Sequence, residues 1–254
     1  MLQKRIIPLL LLSENKIVKT QKFKDISYVG DPLNILKIFN EKEVDEIILL
    51  DISKRKKKYN LQLELLRQFA SECYMPITYG GGIDSLTDAK TILNLGFEKI
   101  CLTSLFLQDH KIVEEISNNF GKQSVVIKLD LKKNIFGKLK IYDHVNKKLM
   151  KLEINEAIEK AISAGAGEIA LNFIDKEGVR SKLNNSDYSN INLDISVPLV
   201  FSGGINSFEN IREILNQNID AVAVGSLFVY FGVHKAVLIS YPNLEEKAKI
   251  VRKY

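Results

Sequence analysis

Short apolar runs alternate along the chain with longer stretches in which apolar residues recur every three or four positions. The short runs are typical of buried strands, and the longer period is typical of amphipathic helices. Eight strands are predicted, at 5–12, 46–51, 77–79, 99–103, 124–130, 168–172, 199–202 and 221–225. Six helices are predicted between them, at 32–43, 61–73, 85–95, 109–119, 154–164 and 207–217. Strands that alternate with helices in this way predict a parallel sheet covered by helices.

The second half of the chain repeats the first. The run DEIILLDISK begins at Asp45, and GEIALNFIDK begins 122 positions later at Gly167. YGGGI and FSGGI are separated by the same offset, as are TSLF and GSLF. Two similar halves in a chain of 254 residues predict an α/β fold, a single (β/α)8 TIM barrel with a two-fold internal half-barrel repeat, with residues 1–254 as one domain.

Composition limits the chemistry that the chain is expected to carry. Cys73 and Cys101 are not in a Cys-x-x-Cys spacing, and His110, His144 and His234 lie far apart in sequence. This pattern argues against a disulfide framework and against a metal site, so no metal and no cofactor are expected. No signal peptide is recognised, and the leucine-rich start is far shorter than the ~20 apolar residues of a membrane span. We therefore expect a cytoplasmic protein that does not enter a membrane.

The net charge of +5 includes one dense basic run, Lys54-Arg55-Lys56-Lys57-Lys58. One interpretation is a solvated surface loop. The other is a positive patch that attracts a phosphorylated small molecule or an acidic partner. Nucleic acid is not expected as a partner, because Tyr59 is the only aromatic residue beside the run.

Glycine pairs follow the third and seventh predicted strands, and each precedes a helix start. Glycine allows backbone N–H groups to approach an anion closely, and a helix N-terminus adds a favourable dipole. Phosphate sites recur in barrels after the seventh and eighth strands, and the repeat implies a second site after the third and fourth. The alternative is that these glycines only form tight turns. The candidate phosphate-binding residues are Gly81, Gly82, Thr103, Ser104, Gly203, Gly204, Gly225 and Ser226.

An insertion follows the fifth predicted strand, at residues 131–152. Its β-rich segments Ile135-Phe136-Gly137 and Ile141-Tyr142, with turn-forming residues at Asp143 and Asn146, predict a β-hairpin over the top of the barrel.

Seven motifs together resemble the cyclase subunit of imidazole glycerol phosphate synthase, the HisF family. They are RIIP, VGDP, DEIILLDI, YGGGI, KLD, AGAGEI and FSGGI, and they extend over essentially the whole chain. The resemblance implies a (β/α)8 barrel with a glutaminase partner, HisH, on its bottom face. It further implies that ammonia passes through the barrel and reacts at the top with a ribonucleotide carrying two phosphates.

The resemblance also implies a pair of carboxylates at the tops of the first and fifth strands, acting as general acid and base. Asp130 occupies one of these positions, but the other is Leu11. A leucine carries no proton, and positioned proton transfer contributes roughly 10²–10⁴ in rate. The family's substrate-binding positions fall on Lys19 and Asp51, and its Asp-Gly-Thr loop is Glu177-Gly178-Val179 here.

Four charged residues stand at predicted strand starts, which form the bottom of a barrel. In the resembled family these positions form the gate through which ammonia enters, and the alternative is a structural plug of salt bridges. Two positive and two negative side chains balance, as enclosed charges require. The predicted gate consists of Arg5, Glu46, Lys99 and Glu168.

Three hypotheses follow. The LLLL strand and the tail GSLFVYFGVHKAVLISYP are most similar to HisF-like proteins of surface-polysaccharide pathways. Those are expected to deliver ammonia from a HisH-like glutaminase to a separate sugar amidotransferase. The first hypothesis is therefore an ammonia-conducting barrel. The second is a cyclase of histidine biosynthesis, and the third is a platform that only docks and activates the glutaminase.

Overall fold

A computed structural model describes residues 3–53, 61–179 and 181–251. The basic run at residues 54–58 lies outside these ranges. None of the helices in the described ranges is long and apolar enough to cross a membrane.

Eight parallel strands close into a barrel, as the sequence predicts. Each strand pairs with the next along the chain, and the last pairs with the first. Every predicted strand overlaps an observed one. The strands are β1 Arg5–Ser13, β2 Ile47–Asp51, β3 Ile77–Gly80, β4 Lys99–Leu102, β5 Val125–Lys133, β6 Glu168–Phe173, β7 Leu199–Ser202 and β8 Ala221–Val224.

The strand register repeats between the two halves. Ile47 of β2 pairs with Ile77 of β3, and Ile169 of β6 pairs with Leu199 of β7. Both members of the second pair lie 122 positions after their counterparts in the first. The half-barrel repeat therefore extends from the sequence to the hydrogen-bonded pairing of the strands.

Helices cover the outside of the barrel, and several begin at the capping residues that the sequence indicates. Asp31 accepts a hydrogen bond from the Asn34 N–H ahead of Pro32, and Ser85 and Ser207 cap the helices that follow the glycine pairs. The helices are α1 Pro32–Glu41, α2 Leu63–Glu72, α3 Leu86–Asn94, α4 Ser104–Gln108, α5 His110–Phe120, α6 Ile154–Ser163, α7 Asn185–Tyr188, α8 Phe208–Leu215 and α9 Leu244–Val251. All six predicted helices are confirmed. Of the other three, α4 and α7 are too short to show a period, and α9 lies in the tail.

Antiparallel strands outside the eight-stranded barrel include a short pair after β8, Tyr230–Phe231 with Ala236–Val237. Two larger antiparallel elements line the cavity at the top of the barrel. The first, which we call the flap, pairs Lys16–Gln21 with Lys24–Gly30. The second, which we call the mouth hairpin, pairs the end of β5 with Leu139–Asp143, which pairs in turn with Lys148–Leu149. The mouth hairpin confirms that a hairpin follows β5, but the predicted β segment around Ile135 is wrong. Ile135 and Phe136 lie in the turn, because Asn134 accepts hydrogen bonds from the backbone N–H groups of Phe136 and Lys138 and closes the chain there.

The sequence did not predict the flap, and its turn explains why. Lys22 and Phe23 form the turn with φ angles of 49° and 63°. Two-residue hairpin turns with positive φ are usually marked by Asn or Gly, because other side chains are strained there. The turn therefore carries none of the residues by which such hairpins are recognised.

Candidate functional site

A cavity of about 1180 Å³ opens at the carboxyl ends of the barrel strands, which we call the mouth. Active sites of (β/α)8 barrels lie at this end. The predicted top-face residues come together here. The cavity is lined by Leu11, Lys19, Asp51, Gly81, Gly82, Thr103, Ser104, Asp130, Glu177, Gly178, Gly203, Gly204, Gly225 and Ser226.

The glycine pairs occupy turns that only glycine fits. Gly81 and Gly203 have φ angles of 102° and 88°. A Cβ at Gly81 would overlap the carbonyl oxygen of Asp51, and one at Gly203 would overlap that of Phe173. The turn geometry alone therefore accounts for these two glycines. The same turns also bring bare backbone to the cavity beside the starts of α3 and α8, which is the arrangement that an anion site uses.

Asp130 lies at the centre of a buried polar cluster. Its carboxylate forms an ion pair with Lys128 on the same strand and accepts a hydrogen bond of 2.7 Å from Asn172 of β6. On its other oxygen, the Nε2 atom of His144 lies at 2.6 Å. We call Lys128, Asp130, His144 and Asn172 the mouth cluster.

These partners keep the Asp130 carboxyl ionised. Burial by itself would raise its pKa, but the ammonium of Lys128 and the hydrogen bond from His144 outweigh burial and hold the pKa well below its usual range. A general acid or base is most effective when its pKa lies near the working pH. Asp130 is therefore suited to holding charge and orienting its neighbours.

Leu11 stands across the barrel from Asp130. β1 and β5 are four strands apart in the closed ring, and Leu11 and Asp130 line the same cavity. The Leu11 side chain is buried, with 6% exposure. The wall opposite Asp130 therefore carries a methyl-rich surface where the resemblance implies a carboxylate.

Asp51 is a second predicted site residue with a carboxylate, and it is buried at the end of β2. It accepts a hydrogen bond of 2.8 Å from the backbone N–H of Ser53, and the hydroxyl of Tyr79 lies 3.5 Å away. Burial raises the pKa of Asp51, and these hydrogen bonds oppose the rise.

Lys19 extends from the flap into the cavity. Its Nζ atom donates a 2.5 Å hydrogen bond to the carbonyl of Leu9, and a Cβ at Gly225 would lie within 2.6 Å of it. Burial lowers the pKa of Lys19 to about 8, although the carboxylate of Glu177 acts in the opposite direction. A side chain at position 225 would therefore require the Lys19 amine to shift from this position.

Glu177 joins the flap to the loop after β6. Its two carboxylate oxygens accept hydrogen bonds from the hydroxyl of Thr20, at 2.9 Å, and from the backbone N–H of Phe23, at 3.1 Å. The backbone carbonyl of Glu177 accepts a third from Lys22. Glu177 lines the cavity, as predicted, and also fastens the flap over it.

The four predicted gate residues form a closed ring at the opposite end of the barrel. Arg5 donates to Glu46 and Glu168 at 2.6 Å each. Lys99 lies 3.0 Å from Glu46 and 3.4 Å from Glu168. We call Arg5, Glu46, Lys99 and Glu168 the bottom ring.

One carboxylate of the bottom ring has a further hydrogen-bond donor, whereas the other has an unpaired oxygen among the described residues. Thr78 of β3 donates to Glu46 at 2.6 Å. The Oε1 atom of Glu168 is buried and has no hydrogen-bond partner among the described residues. Above the ring the barrel interior is apolar. It is lined by Ile7, Ile48, Cys101, Val126, Ala170, Val200, Ala221 and Ala223.

Sequence reasoning missed three members of the mouth cluster. Lys128 could have been found, because side chains two positions apart on a strand point the same way and Asp130 faces inward. Asn172 is the register partner of Asp130, which only the pairing of β5 with β6 reveals. His144 lies in the mouth hairpin, and nothing in its sequence context marks it.

The chain resembles known proteins over most of its length. A family model described as "Histidine biosynthesis protein" matches residues 5–235. A Pseudomonas aeruginosa protein provisionally named imidazole glycerol phosphate synthase subunit hisF2 is 43% identical over 97% of this chain and 98% of its own. A Leptospira borgpetersenii protein, provisionally named as subunit HisF, is 43% identical over the same shares. The Exiguobacterium sibiricum imidazole glycerol phosphate synthase subunit HisF is 34% identical over 90% of this chain and 91% of its own. The chain therefore belongs to the HisF family.

Proposed function

We propose that this chain is the barrel subunit of a glutamine-dependent complex, in which it conducts ammonia from the bottom ring to the mouth without carrying out ordinary cyclisation. A HisH-like glutaminase docks on the bottom face and supplies the ammonia. A separate amidotransferase receives it at the mouth and amidates a sugar of a surface-polysaccharide pathway. This assignment of acceptor and partners rests on the sequence resemblance.

The observation that carries the proposal is the contrast between Leu11 and Asp130. A cyclisation that needs a carboxylate acid and a carboxylate base finds an alkyl group on one side of this mouth. On the other side it finds a carboxylate whose pKa is held low by Lys128. Leu11 exchanges no proton, and a carboxylate with so low a pKa is a weak base near neutral pH, so the reaction lacks one acid–base group and finds the other weakened.

The barrel interior supports conduction. Ammonia is small and uncharged, and the apolar interior between the bottom ring and the mouth suits a neutral molecule better than an ion. The free Oε1 atom of Glu168 offers an acceptor at the entrance, where an N–H of ammonia would find a partner. The barrel thus has a polar entrance, an apolar passage and a polar exit.

An ordinary cyclase of histidine biosynthesis is the second candidate. It is favoured by the presence of Asp130, Asp51, Lys19 and both glycine turns around one cavity. In that case the ligand is a ribonucleotide with a phosphate at each end, held at the two turns.

A turnover assay separates the two candidates. Purified protein is supplied with ammonium and the formimino aminoimidazole carboxamide ribonucleotide that cyclases consume. We expect turnover at least ~10² below that of an ordinary cyclase, because Leu11 cannot transfer a proton and Asp130 is a weakened base. A matched assay of an ordinary HisF under the same conditions is the control. Turnover equal to that control would reject the proposal in favour of the cyclase.

Conduction is tested in the complex with the glutaminase and amidotransferase encoded by the same genome. Product formation is measured with glutamine and, separately, with ammonium. Lys99→Met is expected to lower the glutamine-supported rate severalfold while the ammonium-supported rate and the glutaminase rate stay unchanged. The control is Lys90→Met on the outside of the barrel. An unchanged ratio of the two rates in Lys99→Met would favour a barrel that serves only as a docking platform.

A further inference from the structure

His144 is held in a fixed position over the mouth. It follows Asp143, whose carboxylate accepts hydrogen bonds from the backbone N–H groups of Val145 and Asn146 and thereby shapes the turn of the mouth hairpin. The edges of two aromatic rings meet the imidazole, with Phe23 at 4.7 Å and Tyr142 at 5.0 Å between ring centroids. The ring has little freedom to rotate away.

The contact with Asp130 decides which imidazole nitrogen carries the proton. The carboxylate stays ionised, because Lys128 and Asn172 both donate to it. An ionised carboxylate only accepts hydrogen bonds, so the Nε2 atom at 2.6 Å must be the donor. In the neutral imidazole the lone pair is then on Nδ1.

The Nδ1 atom is available to a ligand. No hydrogen bond to it exists among the described residues, and the His144 side chain is 19% exposed and lines the cavity. Phe23 of the flap packs against both His144 and Lys128, so movement of the flap would widen access to the pair. A base with one nitrogen fixed by a carboxylate and the other facing a cavity is the arrangement of a catalytic His–Asp pair.

The lining of the cavity indicates the charge of the ligand. Asp130 is neutralised by Lys128, and the carboxylate of Glu177 is occupied by the flap. Two more carboxylates, those of Asp51 and Asp84, also line the cavity, but further lysines outnumber them. These lysines are Lys19, Lys22, Lys24, Lys132 and Lys147. An anionic small molecule, such as a sugar phosphate or a sugar carboxylate, is the ligand class that this surface favours.

We propose that His144 is the proton-accepting base of the mouth, positioned by Asp130, and that it acts on an anionic ligand bearing a hydroxyl group. The O–H bond of that hydroxyl breaks as an N–H bond forms at Nδ1. Asp130 holds the Nε2 proton and stabilises the imidazolium that results. The alkoxide that remains takes the proton back from Nδ1 before the ligand leaves, so the neutral base is restored. This assignment does not depend on ammonia conduction.

The first test measures the tautomer directly in the unaltered protein. The sequence has three histidines, so ¹⁵N spectra of the imidazoles resolve into three sets that His110→Gln, His144→Gln and His234→Gln assign. At a pH where the His144 ring is neutral, we expect the signature of an Nε2–H tautomer. A neutral ring protonated at Nδ1 would overturn the proposal. This measurement needs no variant of Asp130 and so does not depend on its folding.

The second test measures the reactivity of Nδ1 with iodoacetate, an anionic alkylating agent. The Nδ1 lone pair attacks the CH2 carbon, a C–N bond forms and iodide leaves. Labelling is located by mass spectrometry after proteolysis. Burial raises the pKa of Cys73 to about 11 and that of Cys101 to about 12, so the thiols compete weakly. We expect His144 to react about ten-fold faster than His110 or His234.

Two comparisons make the labelling specific. Asp130→Asn should lower the rate at His144 about ten-fold while leaving His234 unchanged, with circular dichroism used to confirm the fold. Iodoacetamide, which is neutral, should lose the preference for His144 that the lysines give to iodoacetate. Equal labelling of all three histidines would show that the imidazole has only a structural role. The same conclusion would follow if neither Asp130→Asn nor the charge of the reagent changed the labelling rate of His144.

Discussion

The bottom ring and the mouth cluster are both buried groups of charged side chains, but they are built differently. The ring takes Arg5, Lys99 and Glu168 from β1, β4 and β6, and Glu46 from the position just before β2. Its two cations each contact both anions. The mouth cluster takes Lys128 and Asp130 from one strand, Asn172 from its neighbour and His144 from an insertion. The bottom ring is formed at the starts of the barrel strands, whereas the mouth cluster also needs the hairpin that is inserted above them.

This difference shows how one barrel can keep its bottom ring while its mouth changes. Replacing any ring residue leaves a buried charge uncompensated, so the frame itself resists change at the bottom. At the mouth, the loops after the strands set the chemistry, and loops tolerate substitution and insertion. His144, in a hairpin inserted after β5, is therefore compatible with the same barrel that holds an intact bottom ring.

The largest expected effect comes from breaking the ring. Glu46→Ala leaves Arg5 and Lys99 with one carboxylate between them in a buried site, so the free energy of unfolding should fall by about 3–5 kcal/mol. Denaturant unfolding measures the change. Glu98→Ala, at an exposed position beside Lys99, is the control and should stay within about 0.5 kcal/mol of the wild type. A loss in Glu46→Ala no larger than that of the control would show that the ring is solvated and not part of the frame.

Acid titration is expected to give the next largest effect, and it acts on the mouth cluster. The folded pKa of Asp130 lies below the unfolded value of about 3.9, so the unfolded state binds more protons as the pH falls through that value. The stability from this group is complete above the unfolded pKa. It is then lost by about 1.4 kcal/mol per pH unit down to the folded pKa.

Asp130→Asn removes the titrating group, so the free energy of unfolding should depend less steeply on pH between about 4 and 2 than it does in the wild type. Asp194→Asn, an exposed aspartate, is the matched control and should retain the wild-type slope. If the Asp130→Asn slope equals that of the wild type, Asp130 is not held ionised by its partners.

The smallest expected effect concerns how the flap is fastened. Glu177→Ala removes the hydrogen bonds to Thr20 and Phe23, which together contribute roughly 1–2 kcal/mol to closure. Hydrogen exchange of the Phe23 amide should therefore become about ten-fold faster. Asp175→Ala is the control, because Asp175 accepts from the Lys133 amide of the mouth hairpin. Asp175→Ala should speed hydrogen exchange at Lys133 alone. If both variants speed exchange at both Phe23 and Lys133, the flap and the mouth hairpin are not held independently.

The bottom ring was predictable from the sequence, and the mouth cluster was not. Arg5, Glu46, Lys99 and Glu168 stand at the starts of clearly marked strands, and parallel strands bring their starts to one end of a barrel. Two of them are also related by the internal repeat. Glu177 and Thr20 are 157 positions apart and meet across two loops, a contact that no periodicity encodes. The flap, which contains Thr20, was missed because its turn residues are atypical.

The sequence alone determined the closed α/β barrel, the glycine turns after β3 and β7, and the absence of a titratable group at Leu11. These follow from periodicity, from backbone conformations that only glycine adopts readily, and from residue identity. Tertiary structure alone decided that Asp130 is neutralised by Lys128 and that His144 faces the cavity with one nitrogen fixed. The alternation of side chains along a strand predicts which face of the sheet each one points to. Which side chains it meets depends on strand register and on where an inserted hairpin folds.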